Sequence, residues 1–195
     1  MTIEVLGSIG VGLIAGSFAL LAFGGDSLIE LVSGLAVLAG LRRDSSKSSG
    51  LGSDNNRTEQ FTSLLLFALI PVIALGSVYS YTTGVRPEGS PLGIVIAIGA
   101  LIVMPYLYVQ KKRIGRETRS LSLSMDAVES ITCLLMAIAL LGGLLAEYFV
   151  GLWWADYLAT GIILSFVAKE AVESYRELHE ERPDNMLKDS QPGEA

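Results

Sequence analysis

Residues 61–85 contain no Asp, Glu, Lys or Arg, and neither do residues 91–110. About 20 consecutive apolar residues, wound as a helix, cross the hydrocarbon core of a bilayer. In lipid the backbone must satisfy its own hydrogen bonds, which a helix does within a single segment. Charged residues are 17% of the 195, against roughly 25% in a typical soluble domain. They fall in short blocks between long apolar runs. The pattern predicts an all-α polytopic membrane helix bundle with six transmembrane helices.

Six apolar segments are read along the chain, at about 2–15, 17–41, 62–81, 92–108, 121–145 and 157–171. The first is short for a span, and start-site choice would explain a truncated first helix. "RRDSSKSSGLGSDNNR" reads as a polar linker between the second and third segments, and "TTGVRPEGSP" as a tight turn. Pro71 and Pro105 are expected to kink their helices. "EYFVGLWWADY" reads as an amphipathic hinge. The first half of the tail after residue 168 is expected to be helical and its end disordered.

Arg42, Arg43, Lys47 and Arg57 crowd one loop, and Lys111, Lys112, Arg113, Arg116 and Arg119 another. The alternate loops carry only Arg86. The positive-inside rule then sets the basic loops and both termini in the cytoplasm, with Trp153 and Trp154 at the outer interface. The cell (inner) membrane is the expected location. The N-terminus lacks a basic region ahead of its apolar run, so a secretory signal is not read there. One cysteine excludes a disulfide framework, and the single histidine, His179, lies in the polar tail. No basic patch points to nucleic acid, and no HExxH-like pattern in the spans points to a metal hydrolase. The chain is expected not to be an enzyme and to hold no cofactor.

The second segment nevertheless carries Asp26 and Glu30 in "GGDSLIELVSG", and the fifth carries Asp126 and Glu129 in "SMDAVESITC". A charge at the bilayer centre costs roughly 2.5–3.5 kcal/mol and normally faces protein or water with a partner. Residues three and four apart share a helix face. Asp26 and Glu30 therefore form one acidic stripe, and Asp126, Glu129 and Cys133 form another. No cationic side chain stands at similar depth. Gathered carboxylates repel, and a divalent cation relieves the repulsion; protonation does so in part. The acids read as ligands for a cation that crosses the membrane. Acids near helix ends, or protonated and bonded between helices, give the structural alternative. Glu4 reads either as a further acid of the site or as a solvated helix end. Cys133 reads equally as a ligand or as a small buried residue.

"GSFALLAFGGDSLIELVSGLAVLAGLR" resembles the second helix of the cation diffusion facilitator (cation efflux) family, with Asp26 and Glu30 on its two acid positions. "SLSMDAVESITCLLMAIALL" is similar to the family's fifth helix, where Glu129 and Cys133 fall on a pair that is most often His and Asp. "SPLGIVIAIGALIVMPYLYVQKKRIGRE" and "GLWWADYLATGIILSFVAKEAVES" resemble its fourth and last helices. The likeness covers about residues 3–176. It implies a transmembrane cation efflux domain over 1–174, a short cytoplasmic tail over 175–195, and a form without the family's C-terminal cytosolic domain. It also implies a metal site between helices 2 and 5, alternating access, proton exchange and a homodimer, though that last inference loses a familiar contact with the missing domain.

The resulting expectation is a secondary transporter that exports a divalent transition metal ion, in exchange for protons. Asp26, Glu30 and Glu129 would ligate it, with Cys133 as a fourth ligand and Asp126 as a supporting acid. Carboxylate with thiolate suits zinc, cobalt, iron(II) or cadmium better than magnesium. The other reading is a non-transporting helix bundle that acts as a structural or regulatory partner.

Overall fold

The computed structural model describes the backbone of residues 2–44, 53–118 and 121–188, and the side chains of 2–32, 35, 63–110, 112–113, 130–173 and 175–176. The described residues form six helices: α1 (Thr2–Ala15), α2 (Phe18–Asp44), α3 (Ser53–Thr83), α4 (Pro91–Thr118), α5 (Leu121–Val150) and α6 (Trp154–Lys188). The fold is an all-helical membrane bundle. Among the described residues, Ser63–Thr83, Pro91–Gln110 and Ser130–Val150 are long and apolar enough to span, and α1 is a shorter apolar helix.

The predicted segments match these helices in order, and several helices run past their apolar portions. The polar linker shrinks from both ends, because α2 continues to Asp44 and α3 starts at Ser53. Once an apolar span has nucleated a helix, each further residue adds one hydrogen bond for one residue fixed, so the helix propagates into flanking polar residues. Likewise α6 runs on to Lys188 through the first part of the charged tail. Pro71 and Pro105 lie inside α3 and α4.

The helices contact one another in a closed ring, α1–α2–α3–α6–α5–α4 and back to α1, and α2 also reaches across to α5 and α6. The core follows from that arrangement. Leu20, Phe23, Met104, Met136, Leu140, Ile163 and Val167 are fully buried between helices. Apolar side chains such as Leu75, Val95 and Ile102 face outward, as lipid-facing positions should, because hydrocarbon solvates them as well as a core does.

Helix α2 is held at two points. Gly16, with φ of 66°, turns the chain out of α1, a backbone region that glycine enters without strain. Ser17 then caps α2: its Oγ accepts from the Leu20 N–H at 3.1 Å. That hydroxyl donates to Asp156 Oδ1 at 2.5 Å, while Asp156 Oδ2 accepts from the Phe18 and Ala19 N–H groups at 3.0 and 3.4 Å. A buried carboxylate from the start of α6 thus meets the positive end of α2, where negative charge is favoured. About two turns deeper, Gly24 lets α1 approach: a Cβ there would stand 2.7 Å from Ser8 Oγ and 3.1 Å from the Ile9 backbone nitrogen.

At the same end, Tyr81, Trp153 and Tyr157 form an aromatic cluster. The Arg86 guanidinium lies 5.7 Å from the Trp153 ring. Tyr157 Oη donates to the Val85 carbonyl at 2.8 Å. Such a girdle of amphipathic rings belongs at a membrane–water interface.

Candidate metal centre

Asp26 is the ninth residue of α2 and Glu30 is one turn further on, so the pair lies about 12 and 18 Å along the helix from Phe18. Both project from the face of α2 that meets the rest of the bundle. Asp26 is 1% exposed, and Glu30 is half-buried. Across from them, α5 presents Cys133, also 1% exposed, on the stripe that continues through Met136, Ala137 and Leu140. Cys133 Sγ lies 2.6 Å from Glu30 Oε1 and 4.0 Å from Asp26 Oδ2. One ligand atom from each of the three lies within 4.8 Å of the others. Zinc–oxygen and zinc–sulfur bonds are about 2.0–2.3 Å long. Small side-chain rotations therefore bring all three atoms within reach of one ion.

Two predicted members, Glu129 and Asp126, lie on α5 but outside the residues whose side chains the structure describes. Glu129 is one turn before Cys133 on the same helix face. The grouping thus unites Asp26, Glu30 and Cys133 from the sequence-derived set. Glu4, the ambiguous acid, lies in the first turn of α1.

Helix α6 adds a group that the sequence reading assigned to the tail. Glu170 is half-buried and close enough to act electrostatically on the Cys133 thiol. The pattern held a signal for it. Ile163, Val167 and Ala171 are the buried stripe of α6, and position 170 falls on the same side, seven residues after Ile163. The adjoining Lys169 made the segment look solvated; Lys169 instead reaches out to Glu173 on the exposed face.

The family model for the cation efflux transmembrane domain matches residues 2–179, nearly the whole chain. The chain belongs to the cation efflux family. No curated protein matches it in a sequence search. Membership makes it an integral membrane protein and a cation transporter, with a metal cation as the family's substrate. Within this domain the described residues bring two carboxylates of α2 and a thiol of α5 together.

Proposed function

We propose that this cation efflux protein exports a divalent transition metal ion from the cytoplasm in exchange for protons, through a site between α2 and α5. Asp26, Glu30, Glu129 and Cys133 ligate the ion, and Asp126 supports them. The observation that carries the reading is the convergence of Asp26, Glu30 and Cys133, from two helices distant in sequence, within 4.8 Å of one another. A mixed carboxylate and thiolate set favours zinc, cobalt, iron(II) or cadmium over magnesium. The ligands bind metal only when deprotonated, so a proton arriving at the site displaces the ion. Glu30 is half-buried while Asp26 and Cys133 are buried, and it lies further along α2 towards Arg42 and Arg43 than Asp26 does, so the ion enters past Glu30. The basic loops set that end in the cytoplasm.

Reconstitution in vesicles tests the reading. Purified full-length protein should carry zinc or cadmium across the membrane, faster when the receiving compartment is acidic. Protein that inserts and folds but moves no divalent metal would favour the structural-partner alternative.

A further inference from the structure

The buried stripe of α5 does not end in an apolar residue. It runs from Cys133 through Met136, Leu140 and Leu144 to Glu147, which is 6% exposed. Fourteen residues of helix separate Glu147 from Cys133, about 21 Å. Glu147 therefore sits at the opposite end of the bundle from the basic loops, beside the α3–α4 and α5–α6 turns.

Its surroundings offer a carboxylate nothing. Neither Glu147 Oε1 nor Oε2 has a hydrogen-bond partner among the described residues. The ionisable groups that act on it are Asp156 of α6 and Glu88 of the α3–α4 turn, both acidic. Glu88 is fixed there because its N–H donates to the Ala15 carbonyl at 2.9 Å. Next to it, Gly89 lies against the Tyr148 backbone. Helices α5 and α6 pack closely one turn before Glu147, where a Cβ on Gly143 would stand 2.7 Å from Ala159 Cβ and 3.2 Å from the Ala155 carbonyl oxygen. Arg86, on the same turn as Glu88, lies over the Trp153 ring. Helices α1, α2 and α4 bring no charged side chain to this end. Glu147 also stands in the last turn of α5, and its own carbonyl accepts the Gly151 N–H. The negative end of the helix dipole disfavours a carboxylate there.

A metal ion does not fit this corner. Both Asp156 oxygens are engaged by Ser17, Phe18 and Ala19, and among the described residues the ligand-bearing group is the one at Asp26, Glu30 and Cys133. Buried without a hydrogen-bond donor and set beside two other acids, the Glu147 carboxyl has nothing among the described residues to stabilise a charge. Glu88 beside it is exposed, and a charged side chain on a turn at the end of a span stands in water.

We propose that Glu147 is a proton-binding site at the far mouth of the bundle, and that the pH on that side acts on cation release through it. The proton comes from water at the α5–α6 turn and returns there. The second half of the proposal rests on the export reading; the first half does not.

Infrared spectra of the full-length protein in nanodiscs test the first half. The parent should show the carbonyl band of a protonated carboxylic acid at neutral pH. Glu147→Gln should lose it, and Glu147→Asp should shift it. If Glu147→Gln leaves the band unchanged, Glu147 carries no such proton and the proposal falls. Zinc flux into vesicles, measured against pH on the receiving side, tests the second half. Glu147→Gln should flatten the pH dependence severalfold, and Glu147→Asp should restore it in part. A parent-like profile in Glu147→Gln, with the band lost, would overturn the coupling. If the parent moves no zinc, the export reading fails, and the infrared result still decides the proton site.

Discussion

Cys133 Sγ lies 2.6 Å from Glu30 Oε1, although 103 positions separate the two residues. The thiol on α5 and the carboxylate on α2 face one another directly. If Cys133 ligates the ion, Cys133→Ala should weaken cadmium and zinc transport about tenfold and spare manganese, because a thiolate prefers soft ions. Cys133→Asp should keep transport and shift preference towards manganese or iron(II). Competition flux with cadmium and manganese reads both changes. A silent alanine with an inactive aspartate would leave an all-carboxylate site.

The helix 2 acids give a second expectation. Asp26→Asn should abolish metal flux with near-normal expression, since the amide removes the charge and is easier to bury than an ionised group. Transport at the parent's rate by Asp26→Asn with Glu30→Gln would sink the transport role of the pair.

The cap of α2 predicts a stability effect remote from the site. Asp156→Ala removes the acceptor of the Phe18 and Ala19 N–H groups. Leaving buried donors unsatisfied costs about 1–3 kcal/mol, and thermal unfolding in detergent should register that loss. Ser17→Ala should cost less alone. The double variant should fall short of the sum, because both residues serve one network.

Gly24 predicts a packing effect. A side chain at that position meets the Ile9 backbone, which cannot rotate away. Gly24→Val should separate α1 from α2 and destabilise by about 1–3 kcal/mol. Gly10, where an added Cβ meets nothing within 4 Å, is the matched control: Gly10→Ala should be neutral or slightly stabilising.

Topology is checked with reporters. A tag after Ala195 or within the loop at Ser49 should read cytoplasmic, and one near Glu88 should read external. The motive is the concentration of Lys and Arg in the two loops at one end of the bundle. An external signal from the C-terminal tag would invert the expected orientation.

Much of the bundle was legible because lipid leaves the chain few choices. The apolar runs had to be helices, and each polar block had to mark a turn. Helix ends were less legible: nothing in "SDNNRTEQ" is apolar, yet α3 begins at Ser53. The pairing of Asp26 with Glu30 followed from helical spacing. Their meeting with Cys133 required knowing which helices touch, which spacing on one segment cannot reveal. Asp156 and Glu147 were both visible inside "EYFVGLWWADY", but that stretch reads only as an amphipathic hinge. Both are buried. One is tied to three donors, while the other has none among the described residues.

The tie between Asp156 and the start of α2 has a mechanical consequence. Any motion that parts α2 from α6 at that end uncaps α2, at roughly 0.5–2 kcal/mol for a lost cap. No comparable bond joins α2 to α5 there among the described residues. Deeper in the bundle α2 meets α5 instead, where Cys133 Sγ stands 2.6 Å from Glu30 Oε1. A motion that keeps the cap carries the start of α2 along with the start of α6, and any parting of α2 from α5 is felt first at that thiol–carboxylate contact.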